Sequence, residues 1–309
     1  MQLFSQMGAA KLARHLGITS ERQVYARRRA IETRLSASIP PPMVGGPPSF
    51  NYPGCVNLSL KNGTILVGGD FHLWPGRNPV CLRAFKKFVD DIKPDVVILN
   101  GDVLDFPKIS RHPQNWESAP DVWEELECAQ DHLHDIEQRC KRGAKKVWPI
   151  GNHDQRFENL LANSTPQLKK VKGVHLADHF PNWEKAMSCM VNYGLEAGRT
   201  MIKHKPMGNG KHSAYNAVKA TGTHTIFNHL HAQKISPVSD YRPFDLYGVD
   251  TGCIADKEDQ AFGYTENNPL DWRSGFALLT YLDGRLMCPE LITKLTDTSV
   301  YFRGQVIRV

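Results

Sequence analysis

The chain has 309 residues, of which 41% are apolar and 23% charged, and its formal net charge is +6. That balance excludes a disordered tail or a membrane bundle, and the length allows one large or two smaller domains whose core needs no disulfide. No apolar run approaches the roughly 18 residues of a spanning helix, and Lys11 and Arg14 interrupt the only candidate signal region, so a cytoplasmic protein without a membrane partner is expected.

The charge is uneven. Residues 1–45 carry seven basic side chains (Lys11, Arg14, Arg22, Arg27, Arg28, Arg29, Arg34) against Glu21 and Glu32, a net of +5; the other 264 residues net +1. The asymmetry predicts a polyanion partner, with non-specific DNA contact as the form expected of it; a solvated basic helix is the plain alternative. Residues 9–16 and 21–35 have helical composition and are joined by Gly17-Ile18-Thr19-Ser20, in a helix-turn-helix-like arrangement with Ser20 as candidate cap. Between Ala37 and Gly54 lie six prolines and three glycines, the composition of an extended linker. The expected organisation is therefore a helical basic segment at 1–36, a linker at 37–54 and one large domain at 55–309.

Within that domain the pattern alternates. Ile65-Leu66-Val67 is a short apolar run ending in Gly69-Asp70, and Leu82, Phe85, Phe88, Val89 and Ile92 then recur at helical spacing. Val96-Val97-Ile98-Leu99 is a second run, ending in Gly101-Asp102. Val122, Leu126, Ala129, Leu133, Ile136 and Cys140 mark a long amphipathic helix, and Val147-Trp148-Pro149-Ile150 ends in Gly151-Asn152. This β-α-β-α-β order predicts parallel strands joined by crossover helices. Beyond His204 the chain reads as strand-rich, with a hairpin around Asp283-Gly284 between 276–282 and 285–292. Seven cysteines without a CxxC pair read as reduced thiols.

Three strands thus end in glycine followed by an acid or amide: Gly69-Asp70-Phe71-His72, Gly101-Asp102-Val103-Leu104-Asp105 and Gly151-Asn152-His153-Asp154. Open α/β sheets bind ligands beyond the carboxyl ends of their strands, so these turns should converge on one crevice. Buried carboxylates gathered there are costly unless a cation compensates them. His204 follows an apolar pair, and His229 and His231 alternate in Asn228-His229-Leu230-His231. On a strand both would point to one site, as metal ligands must.

This ordered set resembles the calcineurin-like metallophosphoesterases, whose signature is DxH, GDxxD, GNH[DE], a later His and GHxH, over about residues 64–290. Ile109-Ser110-Arg111-His112-Pro113 and Trp272-Arg273-Ser274-Gly275-Phe276 are similar to stretches of phage-encoded members, which would place the protein in a host cytoplasm. The resemblance implies a four-layer α/β/β/α sandwich and two divalent ions. One ion would take Asp70, His72, Asp102 and His231; the other Asp102, Asn152, His204 and His229, with Asp102 shared. Imidazole and carboxylate ligation suits Mn, Fe or Zn without choosing among them; Mn2+ is the ion expected, with Fe, Zn or Mg as alternatives. Ions about 3.5–4 Å apart would bind phosphate oxygens and acidify a bridging water, whose hydroxide attacks phosphorus. His153 would then act at the leaving group, oriented by Asp105. Arg156, Lys205, Arg111 and His112 are candidate substrate contacts; His132, His134, Asp178 and His179 read as structural. The expected activity is a phosphodiesterase or nuclease acting on nucleic acid or nucleotides. A phosphomonoesterase, or a nucleic-acid-binding protein with a structural metal centre, is the alternative. Two departures stand out. Asn228 occupies the place of the usual glycine, where tolerance of left-handed backbone should preserve the turn. Phe106 replaces the arginine that follows GDxxD in protein serine/threonine phosphatases.

Overall fold

The computed structural model describes residues 9–18, 20–35, 52–110, 119–208, 210–256 and 271–309. They fall into two compact units, Met1–Asn51 and Tyr52–Val309. Most of the expected linker lies outside the described residues. Tyr52 is part of the larger unit, its hydroxyl donating to Glu158 Oε1 at 3.1 Å.

In the first unit, α1 (Ala9–His15) and α2 (Glu21–Leu35) pack through Leu12, Ala13 and Val24, flanked by Ile18 and Ile31. Gly17 takes φ 64° in the turn, and Ser20 Oγ accepts from the Arg22 N–H at 3.2 Å, capping α2.

The second unit runs β1 (Val56–Leu58), β2 (Gly63–Gly68), α3 (Val80–Ile92), β3 (Val96–Leu99), α4 (Val122–Arg139), β4 (Lys145–Pro149), α5 (Asp154–Ser164) and α6 (Leu176–His179). It continues with β5 (Glu184–Ala186), β6 (Cys189–Val191), β7 (Thr200–Ile202), α7 (Ser213–Thr221), β8 (His224–Phe227), β9 (Lys234–Val238) and β10 (Leu246–Asp250). Five strands close it: β11 (Gly275–Leu282), β12 (Arg285–Leu286), β13 (Glu290–Thr296), β14 (Ser299–Phe302) and β15 (Gln305–Arg308). One sheet has the order β15-β14-β13-β11-β2-β3-β4-β5, with β12 on β11; the other is β1-β6-β7-β8-β10-β9.

The expected β-α-β-α-β core is present. β2, β3 and β4 are parallel neighbours, Ile65 opposite Val96 and Val96 opposite Lys145, with α3 and α4 as crossovers. Strands covered on both faces read as continuous apolar runs, and each run here divides by alternation. Ile65, Val67, Val96, Ile98 and Val147 pack between the sheets with Val191, Ile202, Ile226 and Val249. Leu66, Val97, Leu99 and Trp148 face the other way, onto Leu82, Phe85, Leu126 and Leu133 of α3 and α4. Across the second sheet α7 lays Ala214 and Ala217 on Phe227, and Val218 on Val238 and Leu246. The layers are therefore helix, sheet, sheet, helix. The hairpin turns at Asp283 (φ 48°) and Gly284 (φ 75°), as two-residue turns between twisted strands require.

Candidate metal centre

Chain exits from β2, β3 and β4 meet at one edge. The Asp70 N–H donates to Gly101 O at 2.9 Å and the His72 N–H to Asp102 O at 3.0 Å, so the first two turns are zipped together. The third is joined by the His153 N–H, which donates to Asp102 Oδ1 at 2.8 Å. Gly151 has no Cβ because one there would run into Asp102 Oδ1 and its amide nitrogen. From the other sheet, His204 follows β7, and the Asn228 N–H donates to His204 O at 3.1 Å.

Asp70, His72, Asp102, His229 and His231 all have positive φ, between 41° and 69°. Asp and His visit this left-handed region more than other residues, yet each instance costs about 1–3 kcal/mol and persists only where surroundings enforce it. The geometry corrects one expectation. His229 and His231 are not on a strand, since β8 ends at Phe227; two left-handed residues in the following loop turn both imidazoles toward the site. Asn228 is corrected too. Its φ is not positive, and its amide serves as a buried strut. Oδ1 accepts from Asn100 Nδ2 at 2.6 Å, and Nδ2 donates to Gly252 O at 2.8 Å and to Thr251 Oγ1. Gly69 makes room for it, since a Cβ there would lie 2.6 Å from Asn228 Cγ.

The side chains gather into groups that could each hold a cation. Asp70, His72 and His231 form one, and Asp102, His204 and His229 another, the ligand atoms of each lying within 4.8 Å of one another. Asp102 enters only the second group, although its field reaches His72. Asp70 links the two: Oδ1 lies 3.2 Å from His231 Nε2 and 3.9 Å from His204 Nδ1, and Oδ2 accepts the His229 N–H at 2.8 Å. Asn152 brings Oδ1 to 3.2 Å from His204 Nε2.

The hydrogen bonds set the imidazoles for ligation. His204 Nδ1 donates to Asn100 O at 3.0 Å, which leaves Nε2 facing Asp102 Oδ2 at 3.1 Å, the atom with which it would take a cation in place of its proton. His72 Nδ1 lies 3.0 Å from Asp105 Oδ1, so the carboxylate fixes the tautomer that directs Nε2 to the first group. Lone-pair atoms of Asp102, Asn152 and His204 converging at such range need a proton or a cation between them. The donor set therefore fits divalent ions. A third cluster, His72, Asp105 and His153, is different in kind: Asp105 Oδ1 bridges both Nδ1 atoms, at 3.0 and 2.6 Å, and orients two rings.

Electrostatics match. Burial would raise the Asp102 carboxyl, but His204 and His153 hold it well below its ordinary range. Burial also opposes charge on His204, yet Asp102 raises it to about 10. His229 is pushed down to about 4 by burial and by the neighbouring His204.

Several supporting residues were not singled out from sequence. Asp154 accepts four bonds, from the N–H groups of Val103 (2.9 Å), Leu104 (3.1 Å) and Gly151 (2.9 Å) and from Trp148 Nε1 (3.0 Å), tying two turns to β4. Glu125 of α4 accepts from the N–H groups of Asp105 (3.2 Å) and Phe106 (2.8 Å). Asp250 accepts the Ala232 N–H at 3.3 Å, beside His231. Asp154 fills the last place of the GNH[DE] signature and Asp250 ends an apolar run, while Glu125, between Glu124 and Glu127, carries no signal of its own.

Among the proposed substrate contacts, Arg156 donates from Nη1 to Asp105 O at 2.7 Å and sets Nη2 3.4 Å from His153 Nε2. Lys205 is exposed, and its charge reaches His229. Arg111 and His112 lie outside the described residues. His132 Nδ1 meets Lys86 Nζ at 2.9 Å, Asp178 accepts the Gly173 and His175 N–H groups before α6, and His179 edges Phe157. His134 lies on α4, exposed. All seven cysteines are free thiols.

A family model for calcineurin-like phosphoesterases matches residues 63–248. The chain belongs to the calcineurin-like phosphoesterase family. That span holds every candidate ligand from Asp70 to His231, and the family's α/β/β/α class is the layering seen here. The Gene 54 protein of Mycobacterium phage L5 is 28% identical over 235 residues, covering 68% of this chain and 86% of its own. Its counterpart from Mycobacterium phage D29 is 27% identical over 239 residues, with the same coverage, 68% and 86%. The phage-like resemblance therefore extends beyond short stretches. Among solved structures, Vps29 of Entamoeba histolytica complexed with Zn2+ aligns at TM-score 0.41 and 15% identity, covering 80% of this chain and 98% of that one. Among the described residues, no helix is long and apolar enough to cross a membrane.

Proposed function

We propose that this calcineurin-like phosphoesterase is a two-metal hydrolase of phosphodiester bonds in nucleic acid or nucleotides. The observation that carries the hydrolase reading is the pairing of two His/Asp groups across Asp70, each with one imidazole, His72 in the first and His204 in the second, oriented through Nδ1. Asp70, His72 and His231 would hold one ion; Asp102, Asn152, His204 and His229 would hold the other. Such ions would supply positive charge to the phosphoryl oxygens and an acidified water.

The protein's own groups do the rest. His153 is held by Asp105 through Nδ1, so Nε2 is the atom that, in the imidazolium form, would deliver a proton to the leaving oxygen. Arg156 braces that ring and the Asp105 carbonyl, which commits it to positioning. Among the described residues, the few cations free beside the centre favour a diester. A monoester dianion calls for additional clamping charge, whereas among the described residues Arg156 is engaged, Arg273 pairs with Asp271 at 2.7 Å, and Lys205 remains.

Turnover of a nitrophenyl diester and a nitrophenyl monoester with Mn2+ tests the reading. The diester should be hydrolysed faster. A faster monoester would make the protein a phosphomonoesterase, and no turnover with Mn, Fe, Zn or Mg would remove the hydrolase assignment.

A further inference from the structure

Most of the chain's net charge belongs to residues 1–45, and the structure shows how α2 displays it. Val24 is buried against α1, with Ile31 beside it. The three consecutive arginines do not act alike: Arg28 is half-buried, and its Nε donates to Glu32 Oε1 at 3.1 Å. Arg22, Arg27, Arg29 and Arg34 are exposed, and among the described residues no acidic side chain pairs with them. At about 100° and 1.5 Å per residue, Arg22 and Arg29 share one row and Arg27 and Arg34 another. Within a row the two stand about 10 Å apart along the axis, and the rows are separated by about 140°. The exposed side chains between them are Gln23, Ala26, Ala30 and Thr33, all short or unbranched, while Val24 lies on the opposite side.

We infer that this face of α2 binds duplex DNA, lying in the major groove with one arginine row on each flanking phosphate backbone. Four guanidiniums without acidic partners select a polyanion. Two rows on opposite flanks suit two backbones on either side of one groove. A helix with its side chains is about 10–12 Å across, matching a B-form major groove about 12 Å wide; the deep, narrow major groove of A-form RNA does not admit it. Between the rows only Gln23 and Thr33 can hydrogen-bond base edges, so the contact is mainly to backbone and weakly selective. This inference is independent of the catalytic reading.

The test is binding of the full-length protein to a fluorescent B-form duplex between 50 and 200 mM salt. Each phosphate contact contributes about −0.9 to the slope of log affinity against log salt. Replacing Arg22, Arg27, Arg29 and Arg34 together with Gln should flatten the slope by about 3.6, and either row alone should account for about half. Ala30→Trp changes no charge but props the helix off the groove floor, and should weaken binding at least about tenfold, or 1.4 kcal/mol. Circular dichroism and turnover of a small diester should stay at wild-type values in all variants. Wild-type slope in the quadruple variant, equal affinity for an A-form RNA duplex, or unchanged affinity in Ala30→Trp would each overturn the proposal.

Discussion

Asp102 concentrates the chemistry of the centre: one oxygen holds the His153 amide, and the other lies 3.1 Å from His204 Nε2. Asp102→Asn removes the one negative charge of the second group while preserving shape. Loss of several kcal/mol of transition-state stabilisation corresponds to a rate lower by about 10³-fold or more. Metal analysis should show reduced content in a protein whose circular dichroism is unchanged; full content and rate would refute the ligand assignment. His153→Ala should behave differently, because His153 is oriented by Asp105 and braced by Arg156. Metal content should be kept and the rate lowered ~10²–10⁴-fold. The deficit should shrink for esters with acidic leaving groups, which need little protonation. A rate deficit independent of leaving-group pKa would contradict that role.

At the scale of elements, the strand-end turns are what the sequence displays best. Gly69-Asp70, Gly101-Asp102 and Gly151-Asn152 follow apolar runs, and all three meet at one edge as open α/β sheets require. The left-handed backbone of five candidate ligands was not legible, because it is imposed by the turns packing on one another. His229 and His231 show the limit. An alternating His-x-His reads as a strand until it is known that β8 stops at Phe227. Close approach between turns predicts a cost for Gly151→Ala, since the new methyl collides with Asp102 backbone and carboxylate. Calorimetric Mn2+ affinity should fall at least about tenfold, as for mutations that disturb ligand orientation; unchanged affinity would mean the turns are not coupled.

Helix α4 adds a pH effect through Glu125. Burial raises this carboxyl from 4.5 to about 8. Between those values the folded protein keeps a proton that the unfolded chain releases, so stability falls as pH rises from about 4.5 to 8 and levels off above. Glu125→Gln keeps an acceptor for the Asp105 and Phe106 amides but cannot ionise. Urea denaturation at pH 5 and pH 8 should show the wild type losing about 3–4 kcal/mol more than the variant. Parallel losses would show that Glu125 does not titrate in this window.

Over the whole molecule, the parallel core was legible because strands buried on both faces leave long apolar runs, and α4 because its stripe repeats for five turns. The short elements were not. β1, β5, β6 and β7 have three residues each, too few for periodicity, and α7 has nine, with small residues as its buried face. Yet β7 and β8 deliver His204, His229 and His231, so half of the centre depends on a sheet that tertiary packing defines. We propose that the two halves together hold two catalytic cations. The most direct measurement is diester turnover by metal-stripped protein as Mn2+ is added, plotted against equivalents bound. The rate should rise to a plateau at about two equivalents. Turnover undiminished after stripping, or a fully loaded protein without activity, would contradict it.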